Sequence, residues 1–190
     1  MKKLLFLFLI ALFVKSISGS TLPPDSSYCS SAEAHQFDFW IGNWNIQQKI
    51  IQKDGTWLKT RARDSVFSIL KGCAIEEHWH GDVKFFWAGM KHTKPLEGFS
   101  IRYYDIKDKK WHIRWMDNLN PTLGDGLAGN FRNGRGEFFH ERNTGKGKQL
   151  SRITFSDITK NSFHWDLSIS SDKGRTWTNI WIMEMKRIQE

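Results

Sequence analysis

The chain has 190 residues, with 28 Lys and Arg against 20 Asp and Glu, ten Trp and two Cys, a length that suits one domain. Its 39% hydrophobic, 14% aromatic and 25% charged residues exclude a disordered or collagen-like chain, and no apolar stretch after residue 20 is long enough for a membrane helix. The sequence also lacks a Gly-rich phosphate loop, a Gly-x-Ser-x-Gly elbow and a His-Glu-x-x-His helix, the signatures of common enzyme classes.

Met1-Lys2-Lys3 followed by the apolar run Leu4 to Val14 and the small residues Ser16 to Ser20 predicts a signal peptide over residues 1–20. The run is too short to span a bilayer. The expected mature protein is therefore secreted or periplasmic, with no membrane partner once the leader is removed. Loss of Lys2, Lys3 and Lys15 lowers the excess of basic over acidic residues from eight to five and leaves more Trp than Leu. Cys29 and Cys73 both survive cleavage. In an oxidising compartment they form one disulfide or stay as two free thiols, and the sequence leaves that open. The densest basic spots, Lys107 to Lys110 and Lys146-Gly147-Lys148, read as solvated hairpin tips, so no nucleic-acid partner is expected.

Residues 21–36 form a Pro/Ser-rich lead-in, with a short helix or turn over Ala32–Phe39 capped by Ser31. Strand signals follow at 43–52, 58–70, 73–80, 84–90, 97–105, 111–118, 127–132, 135–143, 149–156, 162–170 and 177–187. The count is ten if 84–90 is a loop extension and eleven otherwise. Asp54-Gly55, Gly81-Asp82, Asp108-Lys109, Asn133-Gly134, Gly145-Lys146-Gly147 and Lys173-Gly174 mark turns that make successive strands antiparallel neighbours. So many aromatic strands must close on themselves, which predicts an all-β antiparallel meander closed into a roughly ten-stranded barrel over 37–190.

Alternation assigns inward sets: Trp44, Ile46, Gln48 and Ile50; Cys73, Ile75, Glu77 and Trp79; Phe99, Ile101, Tyr103 and Asp105; Trp111, Ile113, Trp115 and Asp117; Phe163, Trp165, Leu167 and Ile169. Glu76, His78, His80, Arg102, His112, Arg114, His164 and Asp166 fall on the opposite, solvent-facing side.

Phe37-Asp38-Phe39-Trp40-Ile41-Gly42-Asn43-Trp44 resembles the opening of a widespread bacterial family, largely uncharacterised, that begins Phe-Asp-Phe-Trp-x-Gly-x-Trp. The likeness continues through Gly72-Cys73-Ala74-Ile75-x-Glu77-x-Trp79-x-Gly81, Tyr104-Asp105, Trp111-x-x-x-Trp115-x-Asp117-Asn118 and Ser170-x-Asp172-x-Gly174-x-x-Trp177, covering roughly 37–187. It implies a calycin-type barrel, akin in architecture to lipocalins and nitrobindins. In that frame Gly42 and Trp44 look like the signature in which an indole closes one barrel end beneath a basic residue of the last strand, here Arg187. Ser170, Asp172, Gly174 and Trp177 also fit the Asp-box hairpin known from sialidases, a turn-forming device.

Glu77 and Asp117 are the carboxylates on the inward sets. They either anchor a ligand, serve as acid and base, or sit at the rim paired with Arg63, Arg114 or Arg142. Glu76-x-His78-x-His80 has metal-ligand spacing, but alternation places it outside the barrel. A haem reading drawn from nitrobindin architecture needs an inward His, and His140, with Phe138 on its face, is the candidate. No cofactor is predicted. The expected function is binding of a small apolar molecule between Trp79, Tyr103 and Trp115, anchored by Glu77 and Asp117. The alternative is a lyase, isomerase or hydrolase using the same two carboxylates. A metal- or haem-binding barrel is the further alternative.

Overall fold

The computed structural model describes residues 29–145 and 147–189; the expected signal peptide at 1–20 lies outside them. Ten strands run antiparallel: β1 (Gly42–Ile51), β2 (Trp57–Ile69), β3 (Ala74–Val83), β4 (Lys94–Asp105), β5 (Lys110–Asp117), β6 (Leu127–Arg132), β7 (Arg135–Thr144), β8 (Gly147–Ser156), β9 (Ser162–Ser170) and β10 (Thr178–Arg187). Each pairs with its sequence neighbour, and β1 pairs with β10 to close the barrel. Closure leaves no free sheet edge and gives every strand an inside and an outside.

Two turn and strand expectations change. Residues 84–90 are a loop with a 3₁₀ turn at Phe86–Ala88, which settles the count at ten. Gly81-Asp82 lies inside β3, because β3 stays paired with β4 as far as Val83↔Lys94. At Asn133-Gly134 the φ angles of 51° and 73° are those of a primed hairpin turn, and β6 joins β7 through Arg132↔Arg135.

The two barrel ends differ. The β2–β3, β4–β5, β6–β7 and β8–β9 connections share one end with the N-terminal segment, and that end is filled. Ser31 caps the 3₁₀ turn Ala32–His35 by accepting from Ala34 N, and a second turn, Asp38–Trp40, follows. They carry Phe37 into the barrel, where its ring meets Trp111 at 4.9 Å, Phe131 at 4.8 Å, Phe155 at 5.1 Å and Phe138 at 5.4 Å. Most of these contacts are edge-on, the geometry that ring quadrupoles favour. Trp44 is fully buried and donates its indole N–H to Trp40 O at 2.7 Å.

Arg187 locks this end. Its guanidinium lies 4.2 Å from the Trp44 ring centre and donates to the carbonyls of Ile41 and Phe39, each at 2.6 Å. Gly42 has φ of 124°, and a Cβ there would stand 2.5 Å from Arg187 NH1. Glycine is thus required both by the backbone and by the arginine. At the other end, between β9 and β10, Asp172 accepts from Thr176 N and Oγ1 and from Ser170 Oγ, and Trp177 donates to Gly174 O. Those hydrogen bonds hold the Asp172 carboxyl well below the usual carboxylate range.

Cys29 and Cys73 are joined, with Cα atoms 4.9 Å apart. The bond fastens the plug segment to the β2–β3 turn across 44 residues of sequence. In the chain-entropy account a loop of that length contributes about 4 kcal/mol. A Cys29→Ser, Cys73→Ser double variant is therefore expected to unfold at clearly lower urea concentration while keeping its far-ultraviolet β signal; an unchanged midpoint would refute the pinning role.

Candidate functional site

Above the plug the barrel is hollow. A cavity of about 390 Å³ runs from Trp40, Glu77 and Arg102 at its floor to the loops of the opposite end. That size and its largely apolar lining are those of small-molecule sites.

The floor is a buried polar network. Glu77, 4% exposed, accepts from Ser100 Oγ at 2.5 Å and from Arg102 NH2 at 2.8 Å, both at Oε2. The Arg102 guanidinium lies 3.7 Å from the centre of the Trp40 ring, so the plug supplies one of its faces with a cation–π partner. Trp40 donates its indole N–H to Asp64 at 2.9 Å. Asp64 is 1% exposed. Burial, and then the Glu77 charge, push its carboxyl well above the usual range, against the pull of Arg102 and the Trp40 bond. Its second oxygen, which no donor among the described residues reaches, is free to carry the proton that this raised carboxyl favours. Three donors on the cavity-lining side chains find no protein acceptor: Arg102 Nε, Arg102 NH1 and Trp79 Nε1.

The walls are aromatic. Trp79, Trp115, Trp165 and Trp181 line the space, with Trp181 edge-on to Trp79 at 5.6 Å and to Trp165 at 5.4 Å. Trp181 is oriented by a 2.7 Å bond from its indole N–H to Gln48 Oε1. Gly98 lies beneath Trp115, and any side chain there would collide with that ring. On the facing wall His140 and Ser151, partners across β7 and β8, line the cavity with Ile153 and Leu167.

The mouth is made by two loops. Phe85 and Trp87, stacked at 4.9 Å, come from the β3–β4 loop, and Asn120, Thr122 and Gly124–Gly126 come from the β5–β6 loop. Strands β5 and β6 pair only from Trp111↔Gly129 to Ile113↔Leu127, so the barrel wall parts here and the loop completes it.

Glu77, Trp79 and Trp115 therefore share the cavity, but Tyr103 and Asp117 do not. Tyr103 is on the outside, its ring stacked on His112 at 5.3 Å. On β4 the inward residues are Leu96, Gly98, Ser100, Arg102 and Tyr104; the face expected from Phe99, Ile101 and Tyr103 is inverted. The cause is register: Ser100 stands opposite both Glu77 and Trp115, and a one-residue difference turns over every side chain of the strand. Arg102, expected in solvent, is consequently 3% exposed inside. Asp117 is the last residue of β5, and its carboxylate accepts from the Leu119 and Asn120 amides and from the Trp115 indole at 2.8 Å. It shapes the mouth loop rather than lining the cavity, so Glu77 and Asp117 are not an acid–base pair.

Glu76, His78 and His80 are on the outer wall. Glu76 and His78 meet at 3.3 Å, His78 lies between the Phe67 and Phe99 rings, and His80 is exposed. Among the described residues the side chains whose ligand atoms gather within 4.8 Å are instead Asp105, Asp108 and His112, at the exposed β4–β5 turn. Asp64, Ser100 and Arg102 are the floor residues that strand alternation missed. The available signal was Glu77 itself, since an inward carboxylate demands donors from the adjacent strand.

No family model matches the chain, and no curated protein does. Solved structures with a similar course include the S-type phycobiliprotein lyase CPES from Guillardia theta, with TM-score 0.49 and 11% identity over 81% of this chain and 91% of that one. Another is EF1p2_mFAP2b bound to DFHBI, with TM-score 0.41 and 8% identity over 81% and 98% of the two chains. A protein of unknown function of the DUF3598 family from Nostoc punctiforme has TM-score 0.24 and 6% identity over 83% and 100%. The chemistry of the site rests on its own residues.

Asp64→Asn keeps the acceptor for Trp40 and a donor toward Glu77 while removing the titration. Because the folded chain holds a proton on Asp64 that the unfolded chain releases above about pH 4, stability from that proton is present in acid and lost as pH rises. The variant is expected to gain urea resistance over the wild type as pH rises above the ordinary carboxylate range; parallel curves would show that Asp64 ionises freely.

Proposed function

We propose that this chain is an exported barrel protein that binds one small, apolar or aromatic molecule in its interior. The observation that carries the reading is the cavity: a barrel plugged at one end, hollow above, with four Trp side chains around a space of about 390 Å³. A barrel evolved only for stability would fill that volume, since interiors are close-packed and unfilled apolar space is costly. Export is supported by the leader-like residues 1–20 and by the Cys29–Cys73 bond, which suits an oxidising compartment. Membership of the Phe-Asp-Phe-Trp-x-Gly-x-Trp family belongs to the same proposal. Phe37, Trp40, Gly42 and Trp44 of that motif meet in the plug, each with a packing role.

Binding is favoured over catalysis because the carboxylate pair on which an acid–base mechanism would depend is not assembled, and Glu77 is engaged by Ser100 and Arg102. The uncharged fluorophore N-phenyl-1-naphthylamine is expected to bind the mature protein one-to-one with a rise in emission, and Leu167→Trp, which fills the cavity from β9, to lower its affinity at least tenfold. Equal binding by wild type and Leu167→Trp, or no binding by either, would refute the interior site. Native mass spectrometry of the freshly purified protein is expected to show a retained small molecule.

A further inference from the structure

We propose that the cavity floor recognises an uncharged hydrogen-bond acceptor, the carbonyl oxygen of a planar conjugated ligand, in preference to a carboxylate. The inference rests on the binding function proposed above and specifies what is bound. Its basis is an imbalance at the floor. Arg102 on β4 and Trp79 on β3 are 3% and 1% exposed and both line the cavity, yet Arg102 Nε and NH1 and Trp79 Nε1 have no acceptor among the described residues. Of the neighbouring acceptors, Glu77 Oε2 takes Ser100 and Arg102 NH2 and one Asp64 oxygen takes Trp40, while the second Asp64 oxygen meets none of the three donors. Buried donors are normally satisfied, so a floor with surplus donors is complementary to a ligand that brings an acceptor.

Charge decides which acceptor. The groups facing the floor are Asp64 from β2, Glu77 from β3 and Arg102 from β4, with His140 from β7 on the opposite wall and Asp125 at the mouth. Arg102 is the one permanent cation among them, and Glu77 neutralises it at 2.8 Å. A ligand carboxylate placed here would be stripped of water beside Glu77 with no countercharge left for it, the costly case of an unpaired buried ion. A carbonyl accepts the same hydrogen bonds without that penalty. The rings of Trp79, Trp115, Trp165 and Trp181 then suit a flat conjugated body, and Phe85 and Trp87 cover its outer end.

The test is competition against N-phenyl-1-naphthylamine by three probes of one shape at neutral pH: 2-acetylnaphthalene, 2-naphthoate and 2-ethylnaphthalene. The ketone is expected to bind at least tenfold more tightly than either of the others. Trp79→Phe, which keeps a ring and removes the N–H, is expected to weaken the ketone about fivefold and leave 2-ethylnaphthalene unchanged. Tightest binding by 2-naphthoate, or equal binding by ketone and hydrocarbon, overturns the floor inference while leaving the interior site standing. An equal loss of both probes in Trp79→Phe reduces Trp79 to a packing residue and overturns its part. Failure of all three probes and of the fluorophore overturns the binding function and this inference together.

Discussion

The ion pair between Glu77 and Arg102, buried beneath four tryptophans, constrains nearly everything around it. An unpaired Glu77 at that depth would cost several kcal/mol, on the order of 3–5 when one member of such a pair is removed. Three arrangements follow from it. β4 must present Ser100 and Arg102 inward, which sets its register against β3. The plug must bring Trp40 over the guanidinium, which fixes where the N-terminal segment enters. Asp64, one strand further on, has its carboxyl pushed well above the usual range, first by burial and then by the neighbouring Glu77. A buried ion pair gives little net stability compared with an apolar replacement of the same shape. Its place at the bottom of the cavity agrees with the binding function proposed above.

The aromatic residues divide between two tasks that pull in opposite directions. At the closed end, Phe37, Trp44, Trp111, Phe138, Phe155 and Phe163 are packed to 2% exposure or less and leave no usable space. Higher in the barrel the rings stand apart around the cavity, and their spacing is maintained by individual restraints. Trp181 is tied to Gln48, Trp115 is seated on Gly98 and held by Asp117, and Trp177 is kept outside beneath Arg152 at 4.3 Å. The high Trp content is thus partly core and partly lining.

The sequence was most legible where alternation and turn chemistry agree. On β1, Trp44, Ile46, Gln48 and Ile50 are buried as their spacing requires, and that single clean face places the strand against the barrel interior. β4 departs from its hydropathy pattern for a physical reason. Its outward residues Phe99, Ile101 and Tyr103 are apolar and aromatic, covering neighbours such as His78 and His112, while its inward positions hold glycine, serine and arginine. Hydropathy ranks those two faces the wrong way round. Side-chain volume at two positions ranks them correctly, because Gly98 and Ser100 stand opposite Trp79 and Trp115 and a Cβ at Gly98 would already collide with the Trp115 ring. The disulfide was not legible at all, since separation along the chain says nothing about Cα separation in space.

The mouth shows how the same barrel can admit a ligand without unfolding. The closed end is fixed by a disulfide, by Arg187 with its three backbone carbonyl partners and by the ring cluster around Phe37. At the open end the β9–β10 hairpin is held by Asp172 and Trp177, but the β5–β6 side is held more lightly. β5 and β6 are joined over three residue pairs, and the loop that continues the wall is held by the Arg114 guanidinium at the Gly124 and Asp125 carbonyls and by Asp117 at two amides. Backbone bonds from Gly124 N to Trp115 O and from Asn118 N to Glu97 O add to these side-chain contacts, but they are scattered single bonds that can break and re-form one at a time, whereas a strand ladder opens cooperatively. Leu119 and Leu123 on that loop and Trp87 across from it are among the most exposed large apolar side chains of the barrel. A ligand passing between them would exchange water-exposed apolar surface for contact on both sides, so the entrance and the partly open seam are one feature of the fold.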